Sequence, residues 1–185
     1  MGLSAQQVLN KKNNIKKVIL SKLCFKYSQC WKKELFNDNC KDPDQKNKLR
    51  IYRLFKPNIR FEPYLNMENF HSKNVLTKFR VGVHHLEVEK GRHLKIKYSD
   101  RKCKLCNEEV EEEVHFLIRC KKLELVRKKS ISKIKDKYKA LANCNSEELF
   151  ICIWLLSNEN KEILIEISAC IENLMTARAE MLQNI

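Results

Sequence analysis

Four residues constrain this chain more than any others: Cys103, Cys106, His115 and Cys120, spaced Cys-x2-Cys-x8-His-x4-Cys. Zinc takes thiolate and imidazole ligands in a tetrahedron, and two Cys separated by two residues grip one ion from a tight turn. The second pair arrives after the loop Asn107–Val114, and a His-x4-Cys spacing lies within the usual range for such sites. On a straight α-helix, five residues turn far enough to leave His115 and Cys120 roughly 140° apart. Cys120 is therefore expected just past a helix end, with Phe116 and Leu117 anchoring the knuckle to a helical core. All four ligand places are filled by protein, so the expected cofactor, Zn2+, is structural rather than catalytic. The alternative is three reduced thiols and a solvated His, which accounts poorly for the spacing. The acidic run Glu108, Glu109, Glu111, Glu112, Glu113 reads as a wet loop, with a helix N-terminus as the alternative.

The remaining cysteines fit the same picture. Nine Cys, an odd number, with no secretory leader to expose them to oxidation, argue against a disulfide framework. Cys24, Cys30, Cys144, Cys152 and Cys170 lie in apolar stretches where a thiol acts as a small hydrophobe. Cys40 stands in a polar loop without an obvious partner.

Outside the knuckle the chain reads as helix. Three Gly and three Pro among 185 residues leave few natural breaks, and the expected fold class is mainly α: a helical domain with one small CCHC-type zinc knuckle inserted. Leu20, Leu23, Tyr27, Cys30 and Trp31 recur at helical spacing within 4–36. Turn-forming residues follow at 37–45, and Pro57 and Pro63 bracket a short extended piece. Leu49, Tyr52 and Phe55 mark a further helix, as do Leu76, Phe79 and Val83; Gly91 is expected to terminate the next turn. Ser146 with Glu147 and Glu148, and Asn158 with Glu159, look like helix starts. The last helix runs along Ile163, Ile167, Ile171 and Leu174. Three segments result: a basic helix and linker at 1–45, a helical region with knuckle (103–120) and basic helix at 46–142, and a C-terminal helical pair at 143–185 on the same core.

Charge points to the partner. Lys and Arg number 37 against 23 acids, a formal +14, so a polyanion is the simplest match. The excess is concentrated: residues 121–139 hold nine basic and two acidic side chains. Lys121, Lys122, Arg127, Lys128, Lys129 and Lys133 are the candidate phosphate contacts, against a solvated helix face as the alternative. Arg80 and Arg92 are expected beside the knuckle, able to hold phosphate in bidentate fashion. Lys11, Lys12, Lys16 and Lys17 could bind phosphate or serve nuclear import, against a solvated face, the favoured reading for each alone; an intracellular protein is expected, nuclear in preference to cytoplasmic. No apolar run approaches the ~18 residues of a membrane span. His84 and His85 read as structural, and Trp31, Tyr52 and Phe55 as packing rather than base-stacking platforms.

Several runs together resemble one protein family. They are Asn47-Lys-Leu-Arg-Ile-Tyr-Arg-Leu-Phe-Lys56 with Glu62 and Tyr64-Leu65, then Leu76-Thr-Lys-Phe-Arg80 with His84, Leu86, Glu89, Gly91 and Arg92, then the knuckle through Glu113-Val-His115-Phe-Leu. They resemble the C-terminal zinc-binding region of reverse transcriptases from non-LTR retrotransposons, over about 45–130. In that family the region follows the polymerase and helps hold nucleic acid during target-primed reverse transcription. The resemblance implies DNA or RNA as partner, through the phosphate backbone, and a polymerase core as a possible second one. The family usually continues Cys-Pro after the fourth ligand, where this chain has Lys121 and Lys122. A polymerase of that family would carry a Tyr/Phe-x-Asp-Asp motif, and no Asp-Asp pair occurs here. Asp100-Arg101-Lys102 and Asp44-Gln45-Lys46 have the acid-x-Lys spacing of metal-dependent nucleases but no second carboxylate in a matching strand context. The expectation is a non-catalytic nucleic-acid-binding domain, a C-terminal fragment or orphan copy. The alternative is a zinc-stabilised protein-interaction module that docks through the apolar face of 15–31.

Overall fold

A computed structural model describes residues 5–36, 48–56, 59 and 61–184. The loop expected at 37–45, Cys40, the Asp44-Gln45-Lys46 triplet, Asn47 and most of the extended piece after Pro57 lie outside the described residues. The fold is mainly α. Its helices are α1 (Ala5–Phe36), α2 (Tyr52–Phe55), α3 (Phe70–Arg80), α4 (Glu87–His93), α5 (Glu124–Lys137), α6 (Ser146–Glu159) and α7 (Lys161–Gln183). Among the described residues there is no strand, only an isolated antiparallel bridge between Lys102 and Val110. By its contacts the chain forms two units, Met1–Asn37 with Pro57–Ile59, and Asp38–Lys56 with Arg60–Ile185.

In the first unit α1 forms as its spacing predicts, but Leu20, Leu23, Tyr27, Cys24 and Cys30 are exposed rather than packed. A lone helix has no second layer of its own on which to bury a stripe.

In the second unit α7 packs against α3, α5 and α6. One apolar cluster joins Leu76 and Phe79 of α3, Ile134 of α5, Phe150, Ile153 and Trp154 of α6, and Leu164, Ile167, Ile171 and Leu174 of α7. Phe116 and Leu117 enter the same cluster from the knuckle, as expected for its anchors, and Leu123 joins them from just beyond it. Phe55 packs on Trp154, and Tyr52 bonds Glu62 through its hydroxyl.

The helix ends follow cap chemistry, a residue or two from where the sequence signals fall. α6 is capped by Asn145, whose side chain accepts from the Glu147 and Glu148 amides while Glu148 accepts from the Asn145 amide, a complete capping box. α7 starts at Asn160, not Asn158, which is buried inside α6. α3 stops because Gly82 takes a φ of +68°, with its amide bonded to the Phe79 carbonyl and Val83 N–H to the Lys78 carbonyl. That is a Schellman cap, and Gly82 occupies its left-handed position.

Gly91 does not end a helix; it sits inside α4. Its lack of a side chain admits Arg101: a Cβ at residue 91 would fall 2.6 Å from the Arg101 Cδ and 2.9 Å from its Nε. Arg101 cannot swing aside, since it is buried and donates three hydrogen bonds, to the Val88 carbonyl at 3.1 Å and to Ile96 O at 3.0 and 2.8 Å. Gly91→Ala is expected to lower stability by about 1–3 kcal/mol through overpacking, despite the better helix propensity of Ala. Urea denaturation of both proteins measures the difference.

Candidate metal centre

The structure brings together the four residues singled out by their spacing. One ligand atom from each of Cys103, Cys106, His115 and Cys120 lies within 4.8 Å of all the others. The Cys103 and Cys120 sulfurs are 3.9 Å apart, and Cys106 Sγ is 3.4 Å from His115 Nε2. The cluster can hold a metal ion, and the donors it offers are three sulfurs and one imidazole nitrogen.

Local backbone chemistry explains the convergence. Cys103 and Cys106 flank a tight turn closed by Asn107 N–H to the Cys103 carbonyl at 2.7 Å. Asn107 adopts a φ of +55°, in the left-handed region that Asn tolerates better than most side chains. Around this turn the chain pairs with itself, Cys103 N–H to Glu109 O and Glu111 N–H to Arg101 O, both at 2.9 Å.

The x4 spacing is resolved by a wider turn than an α-helix. Residues His115–Arg119 form one π-helical turn, closed by Cys120 N–H to the His115 carbonyl at 2.7 Å. An i→i+5 turn holds more residues per revolution, so it removes most of the angular gap that an α-helix would leave. Cys120 caps that turn, just past its end as anticipated. Its carbonyl accepts from Arg127 Nη2 at 2.5 Å.

The surrounding groups tune the ligands. The Cys103 thiol is pushed up to about 12 by its hydrogen bond with Cys120 and by burial, while Cys120, accepting that bond, is held below the usual thiol range. Amides of Lys122 and Leu123 also reach Cys120 and favour its thiolate. Burial pushes the His115 imidazole down, but Cys103 and Glu109 outweigh it and hold the ring above its ordinary value. Glu109 Oε2 lies 3.3 Å from His115 Nδ1, so a carboxylate orients the ring with Nε2 turned to the cluster. Such outer partners fix the tautomer of a metal-ligating His.

The acidic run is a wet loop only in part: Glu108 and Glu109 are exposed, as expected, but the residues after them are not. Glu111 is fully buried and Glu113 nearly so. Glu111 takes the Arg178 guanidinium with both oxygens at 2.6 Å, accepts from the Glu87 amide at 2.8 Å, and lies 3.7 Å from Cys103 Sγ. Glu113 meets Arg50 at 2.6 Å and His84 Nε2 at 2.9 Å. Burial raises the Glu113 pKa, but His84 and Arg50 overcome it and hold the carboxyl below its ordinary value. His84 is thus structural, as its sequence context suggests. The sequence carries part of this signal, because Glu111 and Glu113 stand two residues apart, the period of extended chain.

The basic candidates divide. Arg80 is not a surface group: it is 2% exposed, bonded to Glu62 at 2.6 Å and the Trp154 carbonyl at 2.9 Å, and sandwiched by Phe55 and Tyr64, each centroid 4.6 Å from its guanidinium carbon. Arg127 is likewise buried and braces Cys120. Neither can reach a phosphate, because a guanidinium withdrawn from water is retained by acceptors inside the fold. Arg92 is partly exposed with Nε tied to Glu89 at 2.9 Å. Lys121 pairs with Glu108, and Lys133 with Glu166, both at 3.1 Å on the surface. Lys122, Lys128 and Lys129 are exposed. No helix among the described residues is long and apolar enough to cross a membrane. The chain matches no family model, no curated protein and no solved structure.

Proposed function

We propose that the cluster binds zinc and that the domain it stabilises is a non-catalytic nucleic-acid-binding module, contacting chiefly the phosphate backbone. For zinc, bond lengths of about 2.3 Å to sulfur and 2.0–2.1 Å to nitrogen give tetrahedral separations of about 3.8 Å between sulfurs and 3.6 Å from sulfur to nitrogen. The separations found, 3.9 and 3.4 Å, support that choice. Zinc in such a closed site supplies folding energy and no open coordination position.

One observation carries the nucleic-acid reading: Cys120, the fourth ligand, is followed by a single turn, Lys121–Leu123, and then by α5, and Lys122 of that turn and Lys128 and Lys129 of α5 are exposed cations. The knuckle fixes where that helix starts, and the lysines offer point charges without a bidentate fork for base edges. The resemblance to the C-terminal region of non-LTR retrotransposon reverse transcriptases belongs to the same proposal.

A gel-shift series in rising salt tests it. Binding to DNA or RNA is expected to weaken steeply with salt, and reversing charge at Lys122, Lys128 and Lys129 to flatten the slope by about 0.9 log units per lost contact. Zinc content and helicity stay unchanged. Absence of binding at low salt overturns the reading. The exposed Ile15, Ile19 and Leu23 of α1 support a second reading, attachment to a protein partner. Salt-insensitive capture of a polymerase core would favour it.

A further inference from the structure

We infer that the loop closing α4, residues 94–97, is a preformed contact for an unpaired nucleic-acid strand, an inference that rests on the nucleic-acid reading above. Leu94-Lys95-Ile96-Lys97 ends α4 as a Schellman cap, with Ile96 N–H on the Gly91 carbonyl at 2.8 Å and Lys95 N–H on the Arg92 carbonyl at 3.4 Å. The left-handed position of that cap, φ +57°, is occupied by Lys95. Among the described residues the other two positive-φ positions hold Gly82 and Asn107, the residue types that tolerate this conformation. Lys95 is the one of the three whose residue type does not favour it.

The surroundings maintain that strain. Arg101 lies in the gap left by Gly91, donates twice to the Ile96 carbonyl, and stands two residues before the ligand Cys103. The loop is thereby clamped to the knuckle rather than left to sample conformations. It presents Leu94 at 71% exposure and Ile96 at 38%, beside Lys95 and Lys97, neither of them paired with an acid among the described residues. Asp100 is the exposed acid nearest in sequence.

Cations set between exposed aliphatic side chains complement a polymer that alternates charged phosphates with apolar sugar and base faces. In a duplex those base faces are stacked away, whereas in an unpaired strand they are open to Leu94 and Ile96. Strained residues persist where the surroundings over-determine them, and they cluster at ligand clamps. A glycine at residue 95 would relieve the strain but remove the charge.

The test compares full-length wild type with Lys95→Gly, Leu94→Ser and an α5 charge reversal at Lys128 and Lys129, using fluorescence anisotropy on a labelled single-stranded DNA and on the same sequence as a duplex. Lys95→Gly is expected to melt about 2–4 °C higher, as relief of about one kcal/mol does in a domain of this size. Its single-strand affinity falls several-fold, with a salt slope smaller by about 0.7. Leu94→Ser weakens the single strand more than the duplex and leaves the slope unchanged. If Lys95→Gly and Leu94→Ser bind as wild type while the α5 reversal weakens binding, the loop assignment is overturned and the nucleic-acid reading survives. If Lys95→Gly melts lower than wild type, the strain argument fails. If wild type binds neither probe at low salt, both fall together.

Discussion

Stripped of its metal by a strong chelator under reducing conditions, the protein is expected to lose the order of residues 101–123 and most of its cooperative unfolding transition. Structural zinc contributes on the order of 10 kcal/mol in small Cys/His sites, as much as an average domain's whole stability. The effect should spread well beyond the knuckle, because Val114, Phe116, Leu117, Cys120 and Leu123 are part of the central apolar cluster. Native mass spectrometry is expected to find one zinc per chain, and thermal melts with and without chelator measure the loss. Two substitutions separate metal from packing. Cys106 is partly exposed, so Cys106→Ser should abolish zinc binding while creating little cavity. Cys170 is buried in α7 and is no ligand, so Cys170→Ser should lower stability while retaining the full metal content. Reduced protein that is metal-free yet melts as the loaded form does would refute the assignment.

What could be read from the sequence follows the range of the forces involved. The ligands are legible because spacing along 18 residues, Cys103 to Cys120, fixes their convergence whatever the rest of the chain does. Helices are legible for the same reason, with errors of a residue or two at their caps: the oxygen that caps α6 belongs to Asn145, beside the Ser146 that carries the same signal. Burial of charge is not local. Arg80 and Arg127 look like Lys128 in a charge count, yet Arg80 is withdrawn by the Trp154 carbonyl 74 residues away. Glu111 and Glu113 look like solvated acids until Arg178 and Arg50 are placed, 67 and 63 residues distant. Gly91 fails differently: glycine signals either a cap or a close approach, and only the position of Arg101 decides between them.

The Glu111–Arg178 pair yields the second large effect. Arg178 lies in α7 and is the bidentate partner of a fully buried carboxylate that itself lies 3.7 Å from a ligand sulfur. Burial lowers the Arg178 pKa, but Glu111 reverses the direction and holds it above the ordinary value, as expected for a charge compensated inside the fold. Arg178→Met removes the compensation and leaves a buried carboxylate uncompensated beside Cys103, whose sulfur is itself a thiolate once it holds zinc. Breaking a buried pair by deleting one partner costs about 3–5 kcal/mol. Stability measured by urea denaturation should fall by that amount, and zinc should be lost to chelator at lower concentration than from wild type. Replacing both partners, Glu111→Gln with Arg178→Met, removes the stranded charge. The Gln carbonyl can still accept from the Glu87 amide, whose bond to Glu111 is 2.8 Å long. The double variant should therefore be more stable than Arg178→Met alone, because exchange of a whole buried pair for uncharged groups is often near neutral. Additive losses, with the double variant worse than either single one, would mean that the two side chains act independently and that α7 is joined to the knuckle by packing alone.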